Sequence, residues 1–161
     1  MQLLVFDIGS NSVRTLRVTQ DAQSQPHFSG KHVYTTRLAE GLAESGSLST
    51  ARMQQSLLVI RSLHGEYAPQ GFLSYAYATS AVRDAMNGRD FLRSVEEIIG
   101  KGHARILTGE EEAAFAQQGA NPEGGRIILD IGGGSTQIVR PGSRESWPIG
   151  CVRAKDLAPY E

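Results

Sequence analysis

The stretch Ile127–Gln137, IILDIGGGSTQ, confines the chain to few folds. A short apolar run of Ile127, Ile128 and Leu129 stops at Asp130, and Gly132, Gly133, Gly134, Ser135 and Thr136 follow closely. A run of that length bounded by glycine reads as a buried strand ending in a tight turn. Successive glycines let the main chain approach a ligand closely and permit positive φ. Amides in such a turn point outward together and form a nest for phosphate oxygens. Asp130 sets one carboxylate beside that cradle, as a Mg²⁺–phosphate site requires, because Mg²⁺ is held by one or two carboxylates together with phosphates and waters. Taken alone, the stretch also reads as a glycine-rich hairpin turn with a capping aspartate.

The pattern recurs at the N-terminus. Residues Leu3–Ser12, LLVFDIGSNS, again run from an apolar strand into Asp7, Ile8 and Gly9, then Ser10, Asn11 and Ser12. Two such loops, each after a strand, read as an internal duplication of function. If the two strands lie side by side, Asp7 and Asp130 face one cleft with a phosphate-binding turn on each side.

Composition sets the outer bounds. The 161 residues are 40% hydrophobic and 20% charged, the profile of a single globular domain over 1–161 with a real core. A net charge of −1 supplies no global field for recruiting nucleic acid or membrane. One cysteine, Cys151, excludes an intrachain disulfide and fits a reducing compartment. No apolar run approaches the ~20 residues of a membrane span. The opening MQLLVFDIG has neither a basic segment nor a cleavage site, so it does not read as a signal peptide. A cytoplasmic location is expected.

Along the chain, strands are expected at Gln2–Asp7, Val13–Thr19 and His27–Leu38, joined by short turns and therefore antiparallel. Ser49 or Thr50 caps a helix running to about Tyr67, with Met53, Leu57, Ile60 and Leu63 inward and Leu58 alongside. A strand follows at Gly71–Thr79, then helical pieces at Ser80–Ala85 and Asp90–Ile99 separated by Asn87–Gly88. A short strand at Ala104–Thr108 leads into a helix that Gly119 and Pro122 end. The D-I-G-G-G strand is expected to be central, with further strands at Gln137–Arg140 and around Trp147–Ile149. The expected class is α/β, with a mixed sheet and helices on its faces. Ligands in such sheets gather at the carboxyl ends of parallel strands.

Those strand ends carry the candidate chemistry. Glu110, Glu111 and Glu112 occupy one helical first turn, where acids complement the helix dipole. Successive helical residues lie about 100° apart, so the three carboxylates cannot share a direction. One of them facing the cleft would orient a water and take its proton, while the others cap or face solvent. Arg83 suits bidentate contact to phosphate, and equally a surface ion pair with Asp84. No histidine pair has zinc-ligand spacing. Cys151 has no neighbouring base, no G-x-S-x-G elbow occurs, and a Walker-type loop is absent.

Taken together, FDIGSNSVR (Phe6–Arg14), EGL (Glu40–Leu42), YATSAVRDAMN (Tyr77–Asn87), LTGEEEA (Leu107–Ala113), LDIGGGST (Leu129–Thr136) and IGCVR (Ile149–Arg153) resemble the exopolyphosphatase/guanosine pentaphosphate phosphatase family of the actin, sugar kinase and Hsp70 superfamily. The resemblance implies a ribonuclease-H-like (actin-like ATPase) domain, with a mixed sheet of five or more strands and helices on both faces. It implies hydrolysis of the terminal phosphoanhydride of inorganic polyphosphate or guanosine pentaphosphate with Mg²⁺. By motif position the catalytic glutamate is Glu112 and the metal-side aspartates are Asp7 and Asp130. The phosphate-contacting groups are Gly9, Ser10, Asn11, Ser12, Gly132, Gly133, Gly134, Ser135 and Thr136, with Arg83. Two departures stand out. Gln137 occupies a position that is usually Glu in the family, which keeps hydrogen bonding but removes a charge. The chain also stops at Glu161, where the second half of a two-domain core is expected, so that half is expected to be missing and a homodimer is one expectation. A non-catalytic phosphate- or alarmone-binding domain and an ATPase or kinase half are the alternative functions.

Overall fold

In the computed structural model of this chain, residues 1–120, 123 and 125–157 are described. The first five strands form one mixed sheet: β1 (Gln2–Ile8), β2 (Ser12–Gln20), β3 (Pro26–Thr35), β4 (Leu73–Ala78) and β5 (Ala104–Ile106). Their order is β3-β2-β1-β4-β5. The first three pair antiparallel, while β1-β4 and β4-β5 are parallel. The class is therefore the expected α/β with a mixed five-stranded sheet.

Alternation along β1 and β4 explains the layering. Leu4, Phe6, Ile8, Ala76 and Ala78 are buried beneath two helices, α2 (Thr50–Tyr67) and α4 (Gly88–Ile99). Helix α2 starts at Ser49, whose side chain accepts from the Arg52 amide. Its inward positions are Ser56, Ile60 and Leu63, with Met53 and Leu57 at the margin. Leu58, expected on the core face, is instead exposed, because Ser56 takes the inward turn. Helix α4 buries Phe91, Val95 and Ile99, each one turn from the last. The other sheet face is met by α5 (Gly109–Ala120), whose Phe115 ring lies 6.2 Å from that of Tyr77.

Two short helices complete this unit. Helix α1 (Leu42–Ser45) precedes α2, and α3 (Ser80–Asp84) follows β4 directly. Asn87 is the N-cap residue of α4 but makes no side-chain capping bond; its amide bonds both the N–H and the C=O of Leu48, at 2.9 Å each, which ties the α1–α2 connection to the start of α4.

The D-I-G-G-G strand is not central. It is β6 (Ile128–Ile131), at the edge of a separate antiparallel sheet with β7 (Thr136–Arg140) and β8 (Ser143–Trp147). It cannot lie beside β1, because β2 and β4 already occupy both edges of β1. Nor is it buried: Leu129 and Ile131 are 60% and 62% exposed. The last strand ends at Trp147, before Pro148, which has no N–H to give a ladder. Beyond it lies α6 (Cys151–Leu157), which the sequence reading did not anticipate. Pro122, expected to help end α5, lies outside the described residues. Among the described residues, no helix is long and apolar enough to cross a membrane.

Gly88 holds the α3–α4 corner together. A Cβ there would run into the carbonyl oxygen of Val82. Gly88→Ala is therefore expected to cost about 1–3 kcal/mol of stability by overpacking, read as a lowered urea midpoint at unchanged slope. An unchanged midpoint would contradict this account of the corner.

Candidate active site

Two hairpins build the site, and they match residue for residue. In the first, DIGSNSVR (Asp7–Arg14), the Gly9 amide donates to Ser12 O at 3.0 Å. In the second, DIGGGSTQ (Asp130–Gln137), the Gly132 amide donates to Ser135 O at 2.9 Å. Asp7 faces Arg14 across β1-β2, and Asp130 faces Gln137 across β6-β7. The expected duplication is thus a repeated hairpin, placed in two sheets rather than one.

The sequence reading allowed these glycines a positive φ, but none of Gly9, Gly132, Gly133 or Gly134 adopts it. They allow the two turns to interlock. A Cβ on Gly133 would sit 2.9 Å from Ser10 Cβ, and one on Gly134 would sit 2.6 Å from both Ser10 Oγ and Ser80 Oγ. Ser10 and Ser80 hydroxyls bond at 2.9 Å, which joins the first turn to the start of α3.

Main-chain carbonyls of both turns are drawn away from the centre. Asn11 O accepts from the Thr36 and Arg37 amides, and Ser10 O accepts from Ala39. Gly132 O accepts from Cys151, and Gly133 O accepts from Val152 and Arg153 at the start of α6. The amides of Ser10, Asn11, Gly133 and Gly134 donate to no backbone acceptor among the described residues. Carbonyls tied back and amides left over are the make-up of an anion nest.

Between the turns lies a cavity of about 380 Å³, within the size range of small-molecule sites. Asp7, Gly9, Ser10, Asn11, Ser12, Glu112, Asp130, Gly132, Gly133 and Ser135 all line it. It opens at the carboxyl ends of the parallel strands β1 and β4, through Asp7, Tyr77 and Thr79. Three expected residues are placed elsewhere. Gly134 packs against Ser10 and Ser80. The Thr136 hydroxyl donates to Ile149 O at 2.6 Å. Arg83 is committed to Glu112 (3.1 Å), Leu107 O (2.9 Å) and Asp84 (3.6 Å) rather than facing the cavity.

Helix phase sorts the three glutamates. Glu111 accepts from the Thr108 amide at 2.9 Å and pairs with Arg105 at 2.7 Å, while the Glu111 amide donates to Thr108 Oγ1. That is a reciprocal cap, and the Thr108 amide, with Arg105, holds the Glu111 carboxyl below its usual range. Glu110 is exposed. Glu112 alone lines the cavity, with 19% of its side chain exposed. Burial pushes its carboxyl up, Arg83 pulls it back, and the charges of Asp7 and Asp130 add to the rise. Asp7 is raised as well, by burial first; Arg14 opposes this at 3.8 Å and Asp130 adds to it.

Sequence reading missed the lining residues Arg14, Tyr77 and Phe115, and had singled out Gln137, which also faces the cavity, only as a departure from the family pattern. The signal for Arg14 and Gln137 was present in the hairpin register, which sets each opposite its aspartate. Gln137 is fully buried, its amide nitrogen donating to Ser135 Oγ (2.9 Å) and Ser146 Oγ (3.2 Å). Tyr77 and Phe115 form an apolar wall and carried no motif.

The donor set suits Mg²⁺ borne by a phosphate chain. Among the described residues, no group of three His, Cys, Asp or Glu is arranged to hold a metal ion. Asp7 and Asp130 offer two carboxylates to one cavity, and Mg²⁺ completes its shell with phosphate oxygens and waters rather than an all-protein cage.

Known proteins share this architecture. An exopolyphosphatase from Cytophaga hutchinsonii superposes with a TM-score of 0.86 at 22% identity, over 100% of this chain and 55% of that one. An Aquifex aeolicus member of the Ppx/GppA family superposes with a TM-score of 0.76 at 26% identity, over 97% of this chain and 54% of that one. The MamK double helical filament, at 11% identity and a TM-score of 0.50 over 92% of this chain and 55% of that one, shares the fold at the actin-like level. The chain thus spans about half the length of the solved structures it matches. The sequence model of the Ppx/GppA phosphatase family matches residues 18–157, from the second strand to the last described helix, and on that match the chain belongs to the Ppx/GppA phosphatase family.

Proposed function

We propose that the cavity hydrolyses the terminal phosphoanhydride of inorganic polyphosphate or of guanosine pentaphosphate, by attack of a water held by Glu112. One observation carries the reading: of three adjacent glutamates, the single one facing the paired turns is half-buried, has a raised pKa, and is fixed by an arginine. The superposed structures, an exopolyphosphatase and a Ppx/GppA family member, support it at the level of the family.

In this mechanism the free amides of the two turns grip the oxygens of the end phosphoryl group. Glu112 accepts a proton from the water as its oxygen bonds to phosphorus, and the bridging P–O bond breaks with its electrons leaving on the shortened chain. Arg83 holds the Glu112 carboxylate in one orientation. Arg14 sets a guanidinium at the cavity wall beside Asp7, placed to steady a phosphate further along the chain. Asp7 and Asp130 would hold Mg²⁺, which supplies neutralisation of charge on the phosphate oxygens. Positioning and electrostatics carry most of the rate in phosphoryl transfer.

Gln137 favours a second reading. The position opposite Asp130 carries a neutral amide pinned by two serines, so it adds no charge and no base. Binding of a phosphate chain or alarmone without turnover follows if that charge is needed.

Phosphate release from polyphosphate, guanosine pentaphosphate and ATP decides among the readings. Release from either of the first two supports hydrolysis. Tight binding without release supports the second reading, and release from ATP alone overturns both. Glu112→Gln is expected to lower kcat by about 10²–10⁴-fold, the usual worth of a general base, with substrate affinity retained; equal turnover in the variant would remove Glu112 from the mechanism.

The pH dependence has a definite sign. Glu112 acts as base only when deprotonated, so kcat should rise with pH through a midpoint above the ordinary glutamate value. Arg83 lowers that midpoint, and Arg83→Ala should move the acid limb to higher pH. A shift to lower pH, or no shift, would contradict the pairing as described.

A further inference from the structure

We propose that Arg153 and Asp84 are positioning residues for the base of the cavity: Arg153 holds Asp84 away from Arg83, which leaves Arg83 on Glu112. The role rests on the reading of Glu112 given above; the contacts behind it do not. Four side chains of alternating sign form a chain. Arg153 Nη2 lies 2.5 Å from Asp84 Oδ2, Asp84 Oδ1 lies 3.6 Å from Arg83 Nε, and Arg83 Nη1 lies 3.1 Å from Glu112 Oε2. They come from three helices, α6, α3 and α5. Each side chain is only 19–31% exposed, whereas Arg14–Asp7, Arg93–Asp90 and Arg105–Glu111 leave both partners more than a third exposed. Partly buried pairs are screened far less than surface ones.

The links are unequal. The outer two, Arg153–Asp84 and Arg83–Glu112, are hydrogen bonds, and the middle one is too long to be one. Asp84 is therefore committed to Arg153 and stands off from Arg83. Left without Arg153, it would compete for the Arg83 guanidinium with Glu112 and with Leu107 O, which accepts at 2.9 Å. A guanidinium is a rigid planar fork, so a stronger pull on its Nε edge swings Nη1 off Glu112. Glu112 then loses the contact that fixes its orientation.

The second turn places Arg153 for this work. The Cys151 amide donates to Gly132 O at 3.0 Å, and the Val152 and Arg153 amides donate to Gly133 O at 2.8 and 3.1 Å. The Arg153 side chain gives Nη1 to Pro148 O at 3.0 Å and keeps Nη2 for Asp84. Helix phase does the rest, because consecutive residues leave a helix about 100° apart. Arg83 and Asp84 therefore leave α3 in different directions, one toward α5 and the other toward α6. A single residue is thus bonded to the second turn by its main chain and tied to the base through its side chain.

A suppressor experiment separates this role from a merely structural one. Arg153→Met should lower kcat for phosphate release from polyphosphate about tenfold, within the range of coupled neighbours in one charge network, with KM unchanged. Adding Asp84→Asn should restore most of the loss, because the competitor for Arg83 is gone. Arg153→Lys, which keeps a charge on Asp84, should also retain most of the activity. In an Arg83→Ala background, Arg153→Met should cost nothing further. Crystals of Arg153→Met should show Asp84 at hydrogen-bond distance from Arg83 Nε, with Arg83 beyond the ~4 Å of an ion pair from Glu112; the double variant should show Arg83 back on Glu112. The proposal is overturned by an unchanged kcat, by a defect or misfolding that Asp84→Asn leaves in place, or by a further loss in the Arg83→Ala background. A wild-type chain that releases no phosphate refutes the hydrolytic reading instead. The crystal structures then decide this one, and Arg83 still on Glu112 in Arg153→Met refutes it.

Discussion

The contact between the two D-I-G turns is the constraint on which the rest depends. It works because side chains are missing where the turns meet: any Cβ at Gly133 or Gly134 would strike Ser10 or Ser80. That closeness brings two sheets that share no strand to a common cavity. It also decides where the main-chain dipoles go. Carbonyls are bonded outward, to the Thr36–Ala39 segment on one side and the start of α6 on the other. What remains at the centre is a set of amides, which is an electropositive floor built without any charged residue.

Over that floor the charges are unevenly compensated. Asp7 has Arg14 beside it, and Glu112 has Arg83, but Asp130 faces the neutral Gln137. Burial first, and the neighbouring carboxylates after it, raise Asp7 and Glu112. On the proposed function, a bound cation would offset that cost. Arg83 is itself held in a chain of charge: Arg153 bonds Asp84 at 2.5 Å, and Asp84 pairs with Arg83. Because the Val152 and Arg153 amides also bond Gly133 O, α6 braces both the second turn and, through Asp84, the arginine paired with Glu112.

Much of this was legible from residue order, because it rests on local rules. Strand-turn signals located both hairpins, and the two-residue alternation of β1 marked its buried side. Asp7 and Asp130 were expected to share a cleft if their strands lay side by side; they line one cavity from separate sheets instead, because strand pairing depends on which edges other strands leave free. Spacing alone left open which of the three acids faces the cavity; the motif resemblance pointed to Glu112, and the phase of α5 is what turns that residue inward. Arg83 was read as a phosphate ligand or as an ion-pair partner of Asp84; it pairs with Asp84, and its other partners, Glu112 and Leu107 O, come from distant segments. Helix α6 escaped notice since Cys151–Leu157 is short and buries no residue of its own. It is held by backbone bonds to Gly132 and Gly133, which no side-chain pattern announces.

The central claim is that both turns act on one phosphate-borne cation. Crystals soaked with pyrophosphate and Mn²⁺, the manganese located by anomalous scattering, test it most directly. The account requires one manganese with a carboxylate oxygen from each of Asp7 and Asp130 in its shell, directly at about 2–2.5 Å or through a single water. The phosphate oxygens should then face the amides of Asn11 and Gly133. A manganese bound by one aspartate alone, or a pyrophosphate seated away from both turns, would contradict it.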